Sequence, residues 1–264
     1  MVARKEAELA EMAAEREAEV VPMPAPKLIV PLGRGKTGKT TFTRWSAERA
    51  LTAGRQTVLA DADRTNATLA AFFEHVVRPP APDANRMKSW INEILELQIE
   101  RKFSMILDLG GGDLILKEHA GELGLVELCQ RHGVEPVAVH FLSSDQDDLA
   151  YLRDIERSGA FSPERTVVVF NQGILAAHLS LSDAFDALLD QEVYRKAAER
   201  GARTVFMPRL SCMAEIDRRR LLFEDAVAGR TRDGRPFGLV NRQIVTMWLR
   251  AMEAAFAEVK DWLP

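Results

Sequence analysis

The sequence predicts an α/β fold with a doubly wound, mostly parallel sheet and helices on both of its faces. Two observations carry this prediction: short apolar segments rich in β-branched residues, and segments of helical periodicity that alternate with them. Continuous apolar runs are typical of strands that are covered on both faces, as in a parallel sheet. The predicted strands are 27–32, 57–61, 104–109, 136–142, 165–171 and 203–208.

The first 26 residues differ in composition from the rest of the chain. Residues 2–20 are rich in Ala and Glu, and the proline-rich stretch 22–26 then blocks continuation of a helix. We therefore expect two parts, a charged helix or arm over 1–26 and one domain over 27–264. The arm is interpreted either as a mobile solvated segment or as a segment that contacts a partner.

Helical periodicity fills the intervals between the predicted strands. The predicted helices are 40–53, 65–77, 84–101, 115–132, 146–158, 180–200, 213–228 and 238–262. The last is amphipathic, and its end is acidic, so we expect it to pack on the domain core and not on a membrane. The acidic segment 143–152 is predicted to be a capped helix start and not a metal site. Alternation of strands and helices places ligands at the carboxyl ends of the strands.

Composition and charge exclude several classes of protein. The chain has 264 residues, of which 47% are hydrophobic and 28% charged, and its net charge is −4. This charge gives no overall attraction to nucleic acid, so any DNA contact must come from a local patch. Cys129 and Cys212 match no metal or redox spacing. No signal peptide and no apolar run of membrane-spanning length is found, so we expect a cytoplasmic protein.

A glycine-rich loop follows the first predicted strand and precedes a predicted helix. Residues 33–40 read GRGKTGKT and fit the pattern GxxxxGK[ST] without a mismatch. In such a P-loop, backbone N–H groups and the helix N-terminus surround a phosphate. Lys39 is then predicted to reach the β- and γ-phosphates, and the Thr40 hydroxyl to ligate Mg²⁺. Lys36 does not fit as the loop lysine, because that register would require a glycine where Val30 stands.

Carboxylates end the next two strands of the predicted sheet. Asp61 and Asp63 end the second strand, and Asp108 ends the third, before the glycines 110–112 and Asp113. Phosphoryl transfer that depends on Mg²⁺ needs such carboxylates beside the phosphate loop. Asp108 resembles a Walker B aspartate, and no glutamate follows it to activate water. The three glycines indicate a mobile backbone suited to a switch.

Three motifs in order resemble those of the ParA/MinD group of P-loop ATPases with a deviant Walker A motif, and of relatives encoded with plasmid partition and conjugation functions. The motifs are GRGKTGKTT at 33–41, DADRTNAT at 61–68 and ILDLGGGD at 106–113. The resemblance implies ATP and Mg²⁺ as cofactors, slow hydrolysis, an ATP-dependent homodimer and a protein partner. It further implies a role in DNA partition, conjugative transfer or positioning of a cargo.

The resemblance also implies roles for individual residues. Lys39 corresponds to the phosphate-binding lysine and Thr40 to the Mg²⁺ ligand. Asp63 corresponds to the residue that orients the attacking water. Asp61 and Asp108 correspond to the carboxylates near the metal.

Further residues are expected to contact the nucleotide. Thr41 would bond the α-phosphate, Asn171 would read the adenine, and Pro208 and Arg209 would flank the base. The remaining loop residues expected around the phosphates are Gly33, Gly35, Thr37 and Gly38.

The loop departs from the group's pattern at one informative place. The group carries a first lysine five positions before the second, and that lysine reaches the partner's nucleotide across a dimer. Here that position holds Arg34, and Lys36 replaces a glycine. Arginine and lysine present their charge differently. Either residue, or neither, is left as the cation that acts across a dimer.

A local basic patch near the C-terminus is a candidate for non-specific DNA binding. Its arginines are Arg218, Arg219, Arg220, Arg230, Arg232 and Arg235. Clustered cations of this kind contact phosphates. The alternative is a solvated helix face, since acidic residues are interleaved with the arginines.

Two other function classes remain open from the sequence. One is a metabolic P-loop enzyme, such as a small-molecule kinase or a ligase of the dethiobiotin-synthetase kind, with Arg218–Arg220 as a phosphate lid. The other is a nucleotide-binding scaffold that does not hydrolyse.

Overall fold

The computed structural model describes residues 25–63, 68–81, 83–109, 114–175, 180–232 and 234–264. Seven strands form one sheet in the order β3-β2-β4-β1-β5-β6-β7, and each pairing of neighbours is parallel. The strands are β1 (Lys27–Leu32), β2 (Thr57–Asp61), β3 (Val76–Val77), β4 (Ser104–Asp108), β5 (Glu135–Leu142), β6 (Arg165–Asn171) and β7 (Arg203–Met207). The predicted doubly wound α/β fold is confirmed, with one further strand, β3.

Helices cover both faces of this sheet. They are α1 (Lys39–Thr52), α2 (Ala84–Arg101), α3 (Leu114–Leu123), α4 (Leu125–Arg131), α5 (Gln146–Ser158), α6 (Leu181–Leu189), α7 (Glu192–Glu199), α8 (Met213–Arg219), α9 (Phe223–Ala228) and α10 (Leu239–Ala255). Short 3₁₀ turns lie at Leu69–Ala71, Gln172–Ile174 and Ala257–Trp262.

The core is divided between the two faces of the sheet because side chains of a strand alternate. In β1, Ile29 packs with the cluster that contains residues of α1 and α10, and Leu28 and Val30 pack with the cluster that contains residues of α2. All three side chains are fully buried. This two-sided burial explains the continuous apolar runs of the sequence.

The order of the strands reverses at β1. The chain runs from β1 to β2 and β3 on one side, returns through β4, and continues through β5 to β7 on the other side. Such a reversal leaves a crevice at the carboxyl ends of the strands. The loop after β1 therefore opens at the place where an α/β sheet binds its ligand.

The predicted helix over 65–77 is wrong in the part that the structure describes. The chain forms only the 3₁₀ turn Leu69–Ala71 there and then the strand Val76–Val77. Val76 pairs with Leu59 of β2 at the edge of the sheet. Two β-branched residues followed closely by prolines favour this extended path.

Other predicted helices are interrupted. Two helices replace the one predicted over 115–132, with the break at Gly124, and two replace the one predicted over 180–200. The helix predicted over 213–228 is also divided, because Arg220 adopts a left-handed conformation with φ of 51°.

Two predictions about helix packing are confirmed. Helix α10 buries Val245, Trp248 and Met252 in the core, as expected. Helix α5 begins with a capped turn, in which the Asp145 side chain accepts a hydrogen bond of 2.9 Å from the Asp147 backbone N–H.

Candidate functional site

The phosphate loop connects β1 to α1 and needs glycine at both of its ends. Gly33 has a φ of 136° and Gly38 a φ of 108°, and residues other than glycine rarely adopt such values. A Cβ at Gly33 would lie 2.7 Å from the Phe141 carbonyl oxygen, and one at Gly38 would lie 2.2 Å from Asn171 Nδ2. The loop is thus packed closely against β5 and β6.

Lys39 is held by the loop itself. Its Nζ donates to the carbonyl oxygens of Gly33 at 2.8 Å and Arg34 at 2.7 Å. A lysine has three N–H donors, so one remains for an anion in the loop. Burial lowers the pKa of Lys39, and the nearby carboxylates of Asp108 and Asp63 oppose this shift. The amine is therefore positioned before any ligand arrives.

Two carboxylates lie side by side at the ends of β2 and β4. Asp61 and Asp108 are register partners, and Asp61 Oδ1 accepts a hydrogen bond of 3.0 Å from the Asp63 backbone N–H. Asp61 is 1% exposed, and its Oδ2 has no hydrogen-bond partner among the described residues. Burial, with a further contribution from Asp108, raises the pKa of Asp61 to about 6. Within the described parts of the chain, this oxygen is therefore an acceptor to which no side chain or backbone group donates.

The residues at this edge fit a divalent cation. Carboxylate, hydroxyl and water oxygens are the ligands that Mg²⁺ prefers. Asp61 offers its unsatisfied oxygen, Asp108 lies in the neighbouring strand, and Thr40 stands in the first turn of α1. Within the described parts of the chain no group of three or more His, Cys, Asp or Glu forms a metal cluster. The fit is thus that of a P-loop site, where a hydroxyl and water complete the ligand set.

A cavity of about 250 Å³ lies beside the loop. Its lining includes residues of the loop and of the start of α1: Lys36, Gly38, Lys39, Thr40 and Thr41. It also includes the apolar residues Ile174, Pro208, Leu210 and Met213. A lining that combines cationic and apolar side chains suits a molecule that carries both phosphates and a flat ring.

Asn171 lines this cavity, but both polar atoms of its side chain are bonded to backbone. Nδ2 donates to the Thr37 carbonyl at 2.8 Å, and Oδ1 accepts from the Gly173 N–H at 2.8 Å. The side chain therefore ties β6 to the phosphate loop. Reading of the base by Asn171 stays a prediction, and the contacts indicate a supporting role in the loop.

The two residues expected to flank the base differ in position. Pro208 lines the cavity, and its carbonyl accepts a hydrogen bond of 2.9 Å from Trp248 Nε1. Arg209 donates instead to the carbonyls of Gln172 and Leu175. Its guanidinium holds the turn after β6.

Arg34 and Lys36 are placed differently from one another. Arg34 Nη1 lies 3.1 Å from Asp145 Oδ2, 3.7 Å from Asp147 Oδ2 and 3.5 Å from Asp148 Oδ1, at the start of α5. Lys36 is exposed, adopts a φ of 68° and forms part of the cavity wall. The loop therefore presents Lys36 to the cavity, whereas acidic side chains hold Arg34.

Five of the six predicted DNA-binding arginines lie together. They line a depression of about 680 Å³, here called the arginine basin, which consists of Arg218, Arg219, Arg220, Arg232 and Arg235 with Glu215 and Pro236. Arg219 pairs with Glu215 at 3.3 Å. Arg230 is outside the basin and pairs with Asp225 at 2.7 Å. The basin shares no lining residue with the cavity beside the phosphate loop.

Arg44 was not identified from the sequence, yet it joins α1 to α8 and to the turn that follows α8. It is 2% exposed and donates to Asp217 Oδ1 at 2.6 Å and to the Leu221 carbonyl at 2.9 Å. Its guanidinium lies 3.6 Å from the ring centre of Phe72 and 4.7 Å from that of Phe223. The partners are remote in sequence, so no local pattern signals these contacts.

Several predictions fall on residues that the structure does not describe. They are the arm over 1–24, residues 64–67 of the second motif, and the glycines 110–112 with Asp113. Their roles stay predictions.

Comparison with known proteins gives likenesses of structure alone. The sequence matches no protein-family profile and no curated protein. Among solved structures, the MinD cell division protein of Aquifex aeolicus matches with 15% identity and a TM-score of 0.45, over 86% of this chain and 97% of that one. FtsY of Elizabethkingia anophelis, in complex with GDP, matches with 15% identity and a TM-score of 0.46, over 71% and 58%.

A MinC:MinD complex from Aquifex aeolicus also matches, with 14% identity and a TM-score of 0.43 over 86% of this chain and 96% of that one. The assignment of the site is based on the contacts of the phosphate loop and its carboxylates.

Proposed function

We propose that the protein is an ATP-binding, slowly hydrolysing ATPase of the ParA/MinD kind, which switches by nucleotide-dependent dimerisation. The observation that carries the proposal is the amine of Lys39, positioned in the phosphate loop, together with the carboxylate of Asp61, which ends β2 and has an oxygen without a partner among the described residues. An anion with an accompanying cation satisfies both groups at once. A nucleoside triphosphate with Mg²⁺ has this chemistry.

Each residue of the site has a part in the proposed reaction. Lys39 and the backbone N–H groups of the loop bind the β- and γ-phosphates, and the N-terminus of α1 adds its partial positive charge. Mg²⁺, held by Thr40, Asp61 and Asp108, would neutralise charge on the phosphates. Asp63 orients the attacking water. We expect slow hydrolysis, because a single aspartate would have to orient the water.

The proposal extends to a homodimer, a protein partner and DNA. Lys36 is the exposed cation at the cavity wall and is available to a second copy of the chain. The arginine basin supports non-specific binding to DNA phosphates, in keeping with a role in plasmid partition or conjugative transfer. The cargo is proposed to be DNA or a complex bound to it.

The test combines size-exclusion chromatography with turnover, using ATP or ADP, with and without DNA. We expect a dimer with ATP only and slow hydrolysis that DNA or a partner accelerates. Asp63→Ala should abolish turnover and spare ATP binding, whereas Asp186→Ala, an exposed aspartate of α6, serves as the matched control. If Asp63→Ala hydrolyses ATP at the wild-type rate, the role of Asp63 is refuted.

The same experiment separates the two alternative functions. A metabolic kinase or ligase would turn over small molecules as a monomer, and Arg218–Arg220 would have to reach the cavity as a lid. The basin and the cavity share no lining residue, which gives that reading no support. A scaffold would bind ATP tightly and show no turnover under any condition.

A further inference from the structure

The start of α5 provides a buried carboxylate next to the phosphate loop. Asp148 is 3% exposed, and its Oδ2 accepts hydrogen bonds from the Ser143 backbone N–H at 2.7 Å and from Ser143 Oγ at 2.5 Å. Its Oδ1 lies 3.5 Å from Arg34 Nη1. Ser143, directly after β5, therefore holds the Asp148 carboxylate through Oδ2, and Oδ1 faces the phosphate loop.

Arg34 joins this carboxylate to the phosphate-binding lysine. Its side chain is held by α5, and its carbonyl oxygen accepts from Lys39 Nζ at 2.7 Å and from Thr37 Oγ1 at 2.9 Å. A displacement of Arg34 would therefore move an acceptor that fixes Lys39. The contacts form one path, Ser143–Asp148–Arg34–Lys39.

We propose that Asp148 is a positioning residue for nucleotide binding, which acts through Arg34 to keep the phosphate loop in the shape that presents Lys39. The inference rests on the proposed function, since it concerns the same site. It adds Asp148, which is not one of the described residues that line the cavity. It also assigns Arg34 to the support of its own loop. Lys36 then remains as the exposed cation in the cavity wall.

A comparison of Asp148 with the neighbouring Asp147 separates the effect of a buried position from the effect of negative charge alone. Asp147 is on the same helix but is 79% exposed and lies farthest from Arg34, at 3.7 Å. Exposed ion pairs contribute little because water screens them. A buried carboxylate that loses its charge-assisted contacts has a larger effect. Asp147→Asn is therefore the matched control for Asp148→Asn.

The experiment measures dissociation constants of Mg·ATP and Mg·ADP by titration calorimetry. Asp148→Asn and Arg34→Gln should each weaken the binding of Mg·ATP and of Mg·ADP by about tenfold, because the two nucleotides bind to the same loop. The double variant should be no weaker than either single variant, since the two residues act along one path. Asp147→Asn should stay within about twofold of wild type, and Arg34→Lys should restore part of the loss.

Additive effects of Asp148→Asn and Arg34→Gln would overturn the inference, as would wild-type affinity in either folded variant. A merely structural role would lower the melting temperature and leave the affinity of the folded protein unchanged. If Asp148→Asn does not fold, Arg34→Gln decides, since Arg34 is 46% exposed. Failure of the wild type to bind any nucleotide refutes the proposed function itself. Binding that is lost in Lys39→Ala but stays at the wild-type level in Asp148→Asn and Arg34→Gln refutes only the inference.

Discussion

At the scale of single residues, the site is built from groups whose contacts are already made. Lys39 is bonded to two loop carbonyls, and Asn171 is bonded to Thr37 and Gly173. Such preorganisation lowers the entropic cost of binding a ligand, because fewer side chains have to be ordered. Asp61 is the exception, because one buried oxygen has no partner among the described residues. In the proposed function, Mg²⁺ would be the partner of this oxygen.

Asn171→Ala tests whether this side chain supports the loop or reads the base. The change leaves the Thr37 carbonyl without its donor, so we expect the affinity for ATP and for GTP to fall together, by about tenfold. Competition between the two nucleotides gives the ratio directly. A change in the ratio of the two affinities, with little loss for GTP, would instead show that Asn171 reads the base.

The residue scale also shows what the sequence could predict. The spacing of glycines and Lys39 is local, so the P-loop pattern identifies it, and Asp61 and Asp108 follow from the ends of apolar strands. The link between Arg34 and Asp145 spans 111 positions. No local pattern reports such a contact, and the acidic start of α5 could be predicted only as a helix cap.

At the scale of elements, polar contacts join α1 to α8 and α9 at successive turns. Arg44 bonds Asp217 and the Leu221 carbonyl, and one turn later Glu48 Oε2 accepts from the Glu224 backbone N–H at 3.0 Å. The phosphate-loop helix is thus bonded to the segment that carries the basin arginines. Periodicity predicted one helix over 213–228, whereas the division at Arg220 and these contacts depend on the tertiary fold.

Glu48→Gln should change the pH dependence of stability. Burial raises the pKa of Glu48 to about 7, with an opposing contribution from Arg44 and a reinforcing one from Glu224. The folded state therefore holds a proton that the unfolded state releases, so stability falls as pH rises from about 4.5 to about 7. The glutamine variant lacks this loss and should be more stable at pH 8 by on the order of 1–3 kcal/mol.

Denaturant unfolding of both proteins at several pH values measures the difference. The advantage of the variant should shrink as the pH falls from 8 and should be lost below about pH 4.5, where the wild-type carboxyl is protonated in both states. An advantage that is the same at pH 5 and pH 8 would show that Glu48 does not titrate in this range.

At the scale of the whole molecule, a chain of net charge −4 carries a concentrated patch of arginines. Long-range attraction to DNA is therefore weak, and binding would depend on local phosphate contacts. The patch was predictable as a run of arginines. Its shape was not, because it needs the left-handed turn at Arg220 and the return of the chain at Arg232 and Arg235.

Arg218→Gln with Arg220→Gln should weaken binding to a duplex of mixed sequence and reduce its salt dependence. Both side chains are exposed in the basin, and each phosphate contact contributes about one unit to the slope of log K against log salt. We expect the slope to fall by about 2 in fluorescence anisotropy titrations. Arg86→Gln, an exposed arginine of α2, should leave the slope unchanged, and an equal loss in this control would show that DNA binding is not localised.

The most direct test of the central claim is a calorimetric titration of the folded protein with Mg·ATP, compared with Lys39→Ala. The preformed loop around Lys39 predicts saturable binding by the wild type. We expect a loss of about 100-fold or more in the variant, because the proposed function assigns the β- and γ-phosphates to this buried amine. A folded wild type that does not bind Mg·ATP, or a variant that binds equally well, would contradict the account.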